Sequence, residues 1–490
     1  MATADKGTKE ITPGGTTSSL SSDLSPHVAD TTSSKSNNSS DRTYYYLSPH
    51  AVQQLPKFQY NGSDLSLLYK YVLSPFAAWC VDNLTPVWLA PNAITLLGLG
   101  WMVVSYLVIW YYCPGLYEAN TDVVNFSDVE GDDTNYAVTV PGAIFLLNGC
   151  AMLIYQTLDN MDGKQARKTH SSSPLGLLFD HGCDAMNSVL GSANWIAAMG
   201  MIPGNVSDLL GGGGGGGGNN IQSKSLLSEF FGGDAILATL LILFPMVAFY
   251  ISTWEQYYTG KLILPPFNGP SEGLVMGASL SIISYFWGPM YWQSTSLADG
   301  AIAQFGWSNV TNLEGRVRNM DLIIFASIAG LAQEVVLKSI FVVRTYGMQT
   351  LRTLLPNVLL VVSTLAMVHY DSTILLRRPR IMMHLISGLF TEMTTQLMLD
   401  HMVEENFEVR KRWCLFPQVI LAACLMLGVS TLSIELLDTI LLVYTTGLWV
   451  YLAFKIRVQI YEICDVLGIY CFDIVTQHPK KLAASAKKTN

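Results

Sequence analysis

Charge is what this sequence has least of. Only 13% of its 490 residues are Asp, Glu, Lys or Arg, while half are hydrophobic; soluble domains carry about 25% charged residues. That shortage excludes an ordinary soluble enzyme and indicates a polytopic membrane protein. A basic surface is missing too, since the formal net charge is −9, which argues against nucleic acid as a partner. The eight cysteines never fall at metal-ligand spacing. Cys150, Cys183, Cys424 and Cys464 sit in apolar runs, where a small soft side chain packs. No basic region followed by an apolar core opens the chain, so no cleavable signal peptide is expected and the first span must direct insertion. The glycine run from Gly211 to Gly218 lacks the Lys and Ser/Thr of a P-loop and reads as a flexible spacer.

Apolar runs, by contrast, are plentiful. Crossing a hydrocarbon core takes about 20 residues, and suitable runs occur near 93–112, 140–158, 177–202, 235–254, 273–292, 320–342, 353–370, 381–402, 413–432 and 436–456. The expected fold is therefore all-α, a membrane bundle of about ten transmembrane helices. Residues 1–42, rich in Ser, Thr, Asp and Lys, form a polar tail unable to bury enough surface to order. Residues 64–81 mix aromatic and apolar side chains with a lysine and are broken by Pro75, as in an amphipathic helix lying in the membrane interface.

Short-loop charge sets the expected orientation. The loop after the second run holds Lys164, Arg167 and Lys168, whereas residues 118–133, after the first, are acidic without Lys or Arg. The former is placed in the cytosol with both termini, and the sequons at Asn125, Asn205 and Asn309 in the lumen. Sequons at Asn61 and Asn83, and the basic trio Arg377, Arg378 and Arg380, run against this assignment.

The stretch LDNMDGKQARKTHSSSPLGLLFDHGCD, Leu158 to Asp184, sets four aspartates between such runs. Asp159 and Asp162 are three residues apart; Gly176, Asp180 and Asp184 follow one another at four, so each set shares a helix face. Charge at such depth costs about 2.5–3.5 kcal/mol per group at the bilayer centre and demands a compensating cation. Oxygen ligands suit Mg²⁺ or Mn²⁺. Gly163 and Gly176 let a large substrate approach the backbone, and Arg167 can hold a phosphate with two parallel hydrogen bonds. Together these groups describe a metal-assisted pyrophosphate site.

The pattern D-x-x-D-G-x-x-A-R, eight residues, then G-x-x-x-D-x-x-x-D is carried by Asp159, Asp162, Gly163, Ala166, Arg167, Gly176, Asp180 and Asp184. It resembles the signature of the CDP-alcohol phosphatidyltransferase class-I family. WLAPNAITLLG (Trp88 to Gly98) and TWEQYYTGKLILPPFNGPSEG (Thr253 to Gly273) look like segments of its eukaryotic choline and ethanolamine phosphotransferases, so the likeness spans about residues 45–475. The resemblance implies transfer of a phosphoalcohol from CDP-choline or CDP-ethanolamine to diacylglycerol. It implies metal at Asp159, Asp162, Asp180 and Asp184, the CDP moiety at Asn92, Gly163, Arg167 and Gly176, and a homodimer in the endoplasmic reticulum or Golgi with its site facing the cytosol. The expected organisation is a tail (1–42), an interfacial segment (43–92), catalytic helices (93–260), further helices with the acceptor-lipid site (261–475) and a cytosolic tail (476–490). Lys487 and Lys488 resemble a dilysine retrieval signal.

One position departs from these relatives, which usually read PLGELFDHG where this chain has PLGLLFDHG. Leu177 thus stands four residues before His181, where a carboxylate would orient the imidazole. His181 is the expected general base, with Asp184 as the alternative. Asn92 also reads as an N-cap, Glu255 as a solvated interfacial charge, and Glu334 with Lys338 as a structural i,i+4 pair. Two other functions fit parts of the pattern: a CDP-diacylglycerol-dependent phosphatidyltransferase, and an ion-coupled transporter using intramembrane acids.

Overall fold

A computed structural model describes residues 43–120, 140–202, 225–305, 313–429 and 433–480. The polar tail, most of the acidic loop, the sequons at Asn125, Asn205 and Asn309, the glycine run and Lys487 and Lys488 lie outside the described residues.

The all-α expectation holds apart from one short strand pair among the described residues. After α1 (Ser74–Asn83) come α2 (Pro91–Tyr112), α3 (Ala143–Lys168), α4 (Pro174–Ala198), α5 (Asp234–Thr259) and α6 (Leu274–Trp287). The second half holds α7 (Asn319–Tyr346), α8 (Leu351–Tyr370), α9 (Pro379–Met402), α10 (Phe416–Met426) and α11 (Ile434–Leu467). Each apolar run read from the sequence falls on one of α2 to α11. Five described helices are long and apolar enough to cross a membrane: Pro91–Tyr112, Asp234–Thr259, Asn319–Tyr346, Met348–Tyr370 and Ile434–Leu467. That is half the expected number, for physical reasons. α3, α4 and α9 spread buried polar side chains along their length, among them Asn148, Gln156, Asn187, Asn194, Glu392 and Asp400, which lowers their hydropathy. α6 and α10 have 14 and 11 residues, roughly 21 and 16 Å at 1.5 Å per residue, against a core of about 30 Å.

α3 packs along α2 and α6, α4 against α2, α5 and α9, and α7 against α5. The approach of α3, α4 and α6 is close: a Cβ on Gly149 would lie 2.6 Å from Ile282, and one on Gly277 2.1 Å from the Trp195 ring. Inside this packing Asn148 accepts from Ser105 (2.9 Å) and Asn194 (2.8 Å) and donates to Ser281 (2.8 Å), linking α2, α3, α4 and α6 by interhelical hydrogen bonds.

Pro75 does not break the N-terminal helix. A π-turn over Tyr69–Leu73 runs directly into α1, with Pro75 in the first turn and the Ser74 N–H bonded to the Tyr69 carbonyl. The wider turn displaces the carbonyl that a proline ring would otherwise strike. Lys164 holds Ser74 at 2.8 Å and Lys168 the Val81 carbonyl at 2.7 Å, so basic residues of the motif helix seat α1. Ahead of α1, β1 (Gly62–Asp64) pairs in parallel with β2 (Leu262–Leu264), Gly62 opposite Leu262.

Two charge groups behave differently from their reading in sequence. Glu255 is buried rather than solvated, and pairs at 3.1 Å with Lys338, which also pairs with Glu334 at 3.0 Å as expected. The basic trio near the start of α9 is engaged rather than free to set orientation: Arg377 and Arg378 pair with Asp438, Arg377 also with Asp371, and Arg380 donates to the Cys113 carbonyl at 2.6 Å.

Candidate active site

The motif is folded by the turn between α3 and α4. The Ser171 N–H returns to the Ala166 carbonyl at 2.9 Å while His170 takes φ 54°, which closes α3 in the manner of a left-handed C-cap. Two residues later Ser173 Oγ accepts the Gly176 N–H at 3.2 Å and Pro174 opens α4. The end of α3 and the start of α4 thereby lie side by side, and their acidic faces meet.

Asp159, Asp162 and Asp180 each offer a carboxylate oxygen, all within 4.8 Å of one another. Asp159 Oδ1 and Asp180 Oδ1 are buried without a hydrogen-bond partner. Among the described residues the only basic group within ion-pair distance of the motif aspartates is His181, whose Nδ1 is 4.0 Å from Asp180. Converging, unneutralised carboxylate oxygens with free lone pairs fit a hard divalent cation. Asp184 stands apart from this trio and accepts a hydrogen bond from the Tyr155 hydroxyl; Asp162 accepts one from Thr95.

The other sequence candidates fall around the same cavity, of about 1290 Å³. Gly163 lies beneath the Arg167 guanidinium, which would be 3.5 Å from a Cβ there. Gly176 faces Asn92 at the same distance. Asn92 is not an N-cap: Ala90 holds that position, and the Asn92 amide donates to the Cys471 carbonyl at 3.0 Å. His181 is 4% exposed and lines the cavity, both its ring nitrogens lack partners, and its ring lies 5.7 Å from that of Phe249. Leu177 lines the same cavity and packs on an apolar cluster that includes Met398 and Ile463.

Three groups of residues were not found by reading the sequence. Thr95 and Tyr155 hold motif aspartates, and Tyr155 could have been found by extending the Asp159 face of α3 back one turn. Tyr60, beside β1, lines the mouth; burial, then the Asp180 charge, push its phenol up to about 12 although half of its surface stays open. Residues 468–471 and 473–478, after α11, also line the cavity, and Phe472 between them is edge-on to Phe179 of α4 at 5.7 Å. Nothing in the sequence joins Cys471 to Asn92, 379 positions away.

The chain was compared with known proteins. No family model matches it. A Dictyostelium discoideum protein named as CDP-alcohol phosphatidyltransferase class-I family protein 3 is 28% identical over 453 residues, covering 88% of this chain and 99% of its own length. Choline/ethanolaminephosphotransferase 1 of Arabidopsis thaliana is 30% identical over 447 residues, covering 88% and 98%. A Saccharomyces cerevisiae protein also named choline/ethanolaminephosphotransferase 1 is 32% identical over 252 residues, about half of each chain at 51%.

Proposed function

The chain belongs to the CDP-alcohol phosphatidyltransferase class-I family, on its choline/ethanolaminephosphotransferase branch, and on that premise we propose that it transfers phosphocholine or phosphoethanolamine from the CDP-alcohol to diacylglycerol, releasing CMP. The observation that carries this reading is a single cavity with three converging carboxylates at its polar end and an apolar arm running from them between helices. Such a cavity accepts a water-soluble pyrophosphate from one side and a lipid hydroxyl from the other. An ion-coupled transporter has no need of Gly163, Arg167 and Gly176 beside its acids.

Asp159, Asp162 and Asp180, with Asp184 beside them, would hold Mg²⁺ or Mn²⁺; when bound, such a cation neutralises charge developing on the leaving phosphate. Arg167 binds the pyrophosphate, and Gly163 and Gly176 leave space for it. Asn92 orders the nucleotide end of the cavity through the segment that it holds. His181 takes the proton of the diacylglycerol hydroxyl as its oxygen bonds to phosphorus, and the bond to the CMP phosphate breaks. Residues 93–260 supply the acids and, through Leu241 and Phe244, part of the acceptor arm, and residues 261–475 supply the rest of it through Ile324, Ile328 and Leu331.

The finer topology belongs to the same proposal: about ten crossings, an interfacial N-terminal helix, and the motif turn in the cytosol on the charge of its loop. Fractionation of a tagged chain checks the expected residence in the endoplasmic reticulum, and mass measurement in detergent checks the homodimer. The decisive experiment supplies purified protein with Mg²⁺, diacylglycerol and radiolabelled CDP-choline or CDP-ethanolamine. Labelled phospholipid is expected from at least one donor. No lipid product from either donor overturns the proposal, and product only from CDP-diacylglycerol with a soluble alcohol assigns the other branch of the family.

A further inference from the structure

The segment ahead of α1 also borders the cavity, which Tyr60, Gly62, Ser63 and Asp64 line together with Arg167 and Asp180. It is anchored on both sides of Tyr60. Before it, Leu55 is fully buried and the Phe58 ring stands edge-on to that of His401 at 5.6 Å. After it, the Leu262 N–H donates to the Asn61 carbonyl at 3.0 Å and the Leu65 N–H to the Leu264 carbonyl at 3.1 Å, while the Asp64 carboxylate accepts from Asn268 at 3.0 Å and Ser271 at 2.8 Å. Tyr60 is thus presented to the cavity by backbone fixed in advance of any ligand.

The Tyr60 ring folds back over Gly62. A Cβ on Gly62 would lie 2.1 Å from the Tyr60 hydroxyl oxygen and 2.5 Å from Cζ, so only glycine leaves the ring its place. Among the described residues the hydroxyl has no hydrogen-bond partner. Burial and then the Asp180 charge push the phenol up to about 12, and the Arg167 charge acts on it as well. At neutral pH it is therefore an uncharged O–H donor. A free phenol donor and a guanidinium border one cavity beside the aspartates proposed to hold a cation. A group that accepts hydrogen bonds from both donors, and that the cation also attracts, is an anion with several acceptor oxygens.

Resting on the proposed transferase reading, we infer that the Tyr60 hydroxyl donates a hydrogen bond to a phosphate oxygen of the CDP-alcohol's pyrophosphate, alongside Arg167, and that Gly62 is a positioning residue that acts through Tyr60 by leaving its ring in place. A hydrogen bond to a charged oxygen is stronger than one between neutral groups. The pairing of β1 with β2 then has a use in substrate binding, because it fixes the strand on which Gly62 and the Tyr60 ring meet.

The test uses the purified full chain as wild type, Tyr60→Phe, Gly62→Ala and the double variant. Calorimetric titration with CDP in the presence of Mg²⁺ needs neither acceptor lipid nor turnover. Each single variant is expected to bind CDP about tenfold more weakly than wild type, the loss of one hydrogen bond to a charged group, and to bind cytidine as wild type does. The double variant is expected to lose no more than either single one, because position 62 acts only through the Tyr60 hydroxyl. In turnover, KM for the CDP-alcohol rises by the same factor while KM for diacylglycerol stays unchanged. Unchanged CDP binding in Tyr60→Phe, an equal loss for cytidine, or losses that multiply in the double variant would overturn the inference. Tyr60-dependent CDP binding in a wild type that makes no lipid from either CDP-alcohol would defeat the transferase reading alone. Lipid synthesis by a wild type whose CDP affinity Tyr60→Phe leaves unchanged would defeat this inference alone.

Discussion

The Tyr155 hydroxyl donates a hydrogen bond to Asp184 Oδ1, so a residue of α3 fixes the last acid of the motif on α4. Thr95 of α2 does the same for Asp162. Each motif helix thus has one aspartate oriented from a neighbouring helix, which leaves Asp159 and Asp180 with the free oxygens. Groups that orient ligands in this way typically alter metal affinity by about 10–100-fold when removed. Tyr155→Phe and Thr95→Val are each expected to raise the Mg²⁺ concentration for half-maximal turnover by at least about tenfold. A Mg²⁺ titration on purified protein checks this, and unchanged half-saturation in both variants would remove their positioning role.

Metal dependence has a consequence for stability as well as for rate. In the absence of metal the aspartate trio is repulsive, so Asp180→Asn is expected to raise the melting temperature of the metal-free protein. The same variant is expected to lose both turnover and the stabilisation that Mg²⁺ gives the wild type, which at 100 times Kd amounts to about 2.7 kcal/mol. EDTA added to the wild type reproduces the loss of turnover, and excess Mg²⁺ restores it. A variant that Mg²⁺ still stabilises as it does the wild type would place the cation elsewhere.

The acids and their helices were legible in the sequence because they rest on local spacing: residues three or four apart share a face whatever the remaining chain does. Asp159, Asp162 and Asp180 converge in the fold, whereas Asp184, on the same face of α4, stands outside the trio. Glu255 was misread because its partner, Lys338, comes from a helix that packs on α5 only in three dimensions. The same holds for Asn92, whose position after a proline imitates a cap while its side chain bonds to a segment near the other end of the chain. Pro75 was misread for a local reason, since a π-turn and a break leave similar signatures in sequence.

Asn92 lines the cavity with residues 468–471 and 473–478, and the proposal assigns that end to the nucleotide. Asn92→Ala is expected to raise KM for the CDP-alcohol about fivefold, the value of one hydrogen bond, with KM for diacylglycerol unchanged. Phe472→Ala, which frees the segment from Phe179 without touching Asn92, is expected to shift the same constant in the same direction. Initial rates against each substrate check both variants. A rise in the diacylglycerol constant instead would move the segment's role to the acceptor.

His181 stands beside the motif acids with no acidic side chain at position 177. Both imidazole nitrogens are buried beside the acids without a hydrogen-bond partner, and Nδ1 lies 4.0 Å from the Asp180 carboxylate. Leu177, one turn earlier on the same face, packs on apolar side chains, and its own side chain offers no hydrogen bond. His181→Ala is expected to lower turnover about 100-fold or more, the scale of general-base catalysis, with the Mg²⁺ dependence unchanged. Leu177→Glu supplies a carboxylate that stabilises the imidazolium and thus raises the basicity of the ring. Because the base must be unprotonated to act, the acidic limb of the pH–rate profile then moves to higher pH, and the plateau rises as the ring becomes oriented. The two variants are read together: turnover kept in His181→Ala passes the proton to Asp184, whereas its loss, with an unmoved limb in Leu177→Glu, leaves His181 as a base that position 177 does not tune.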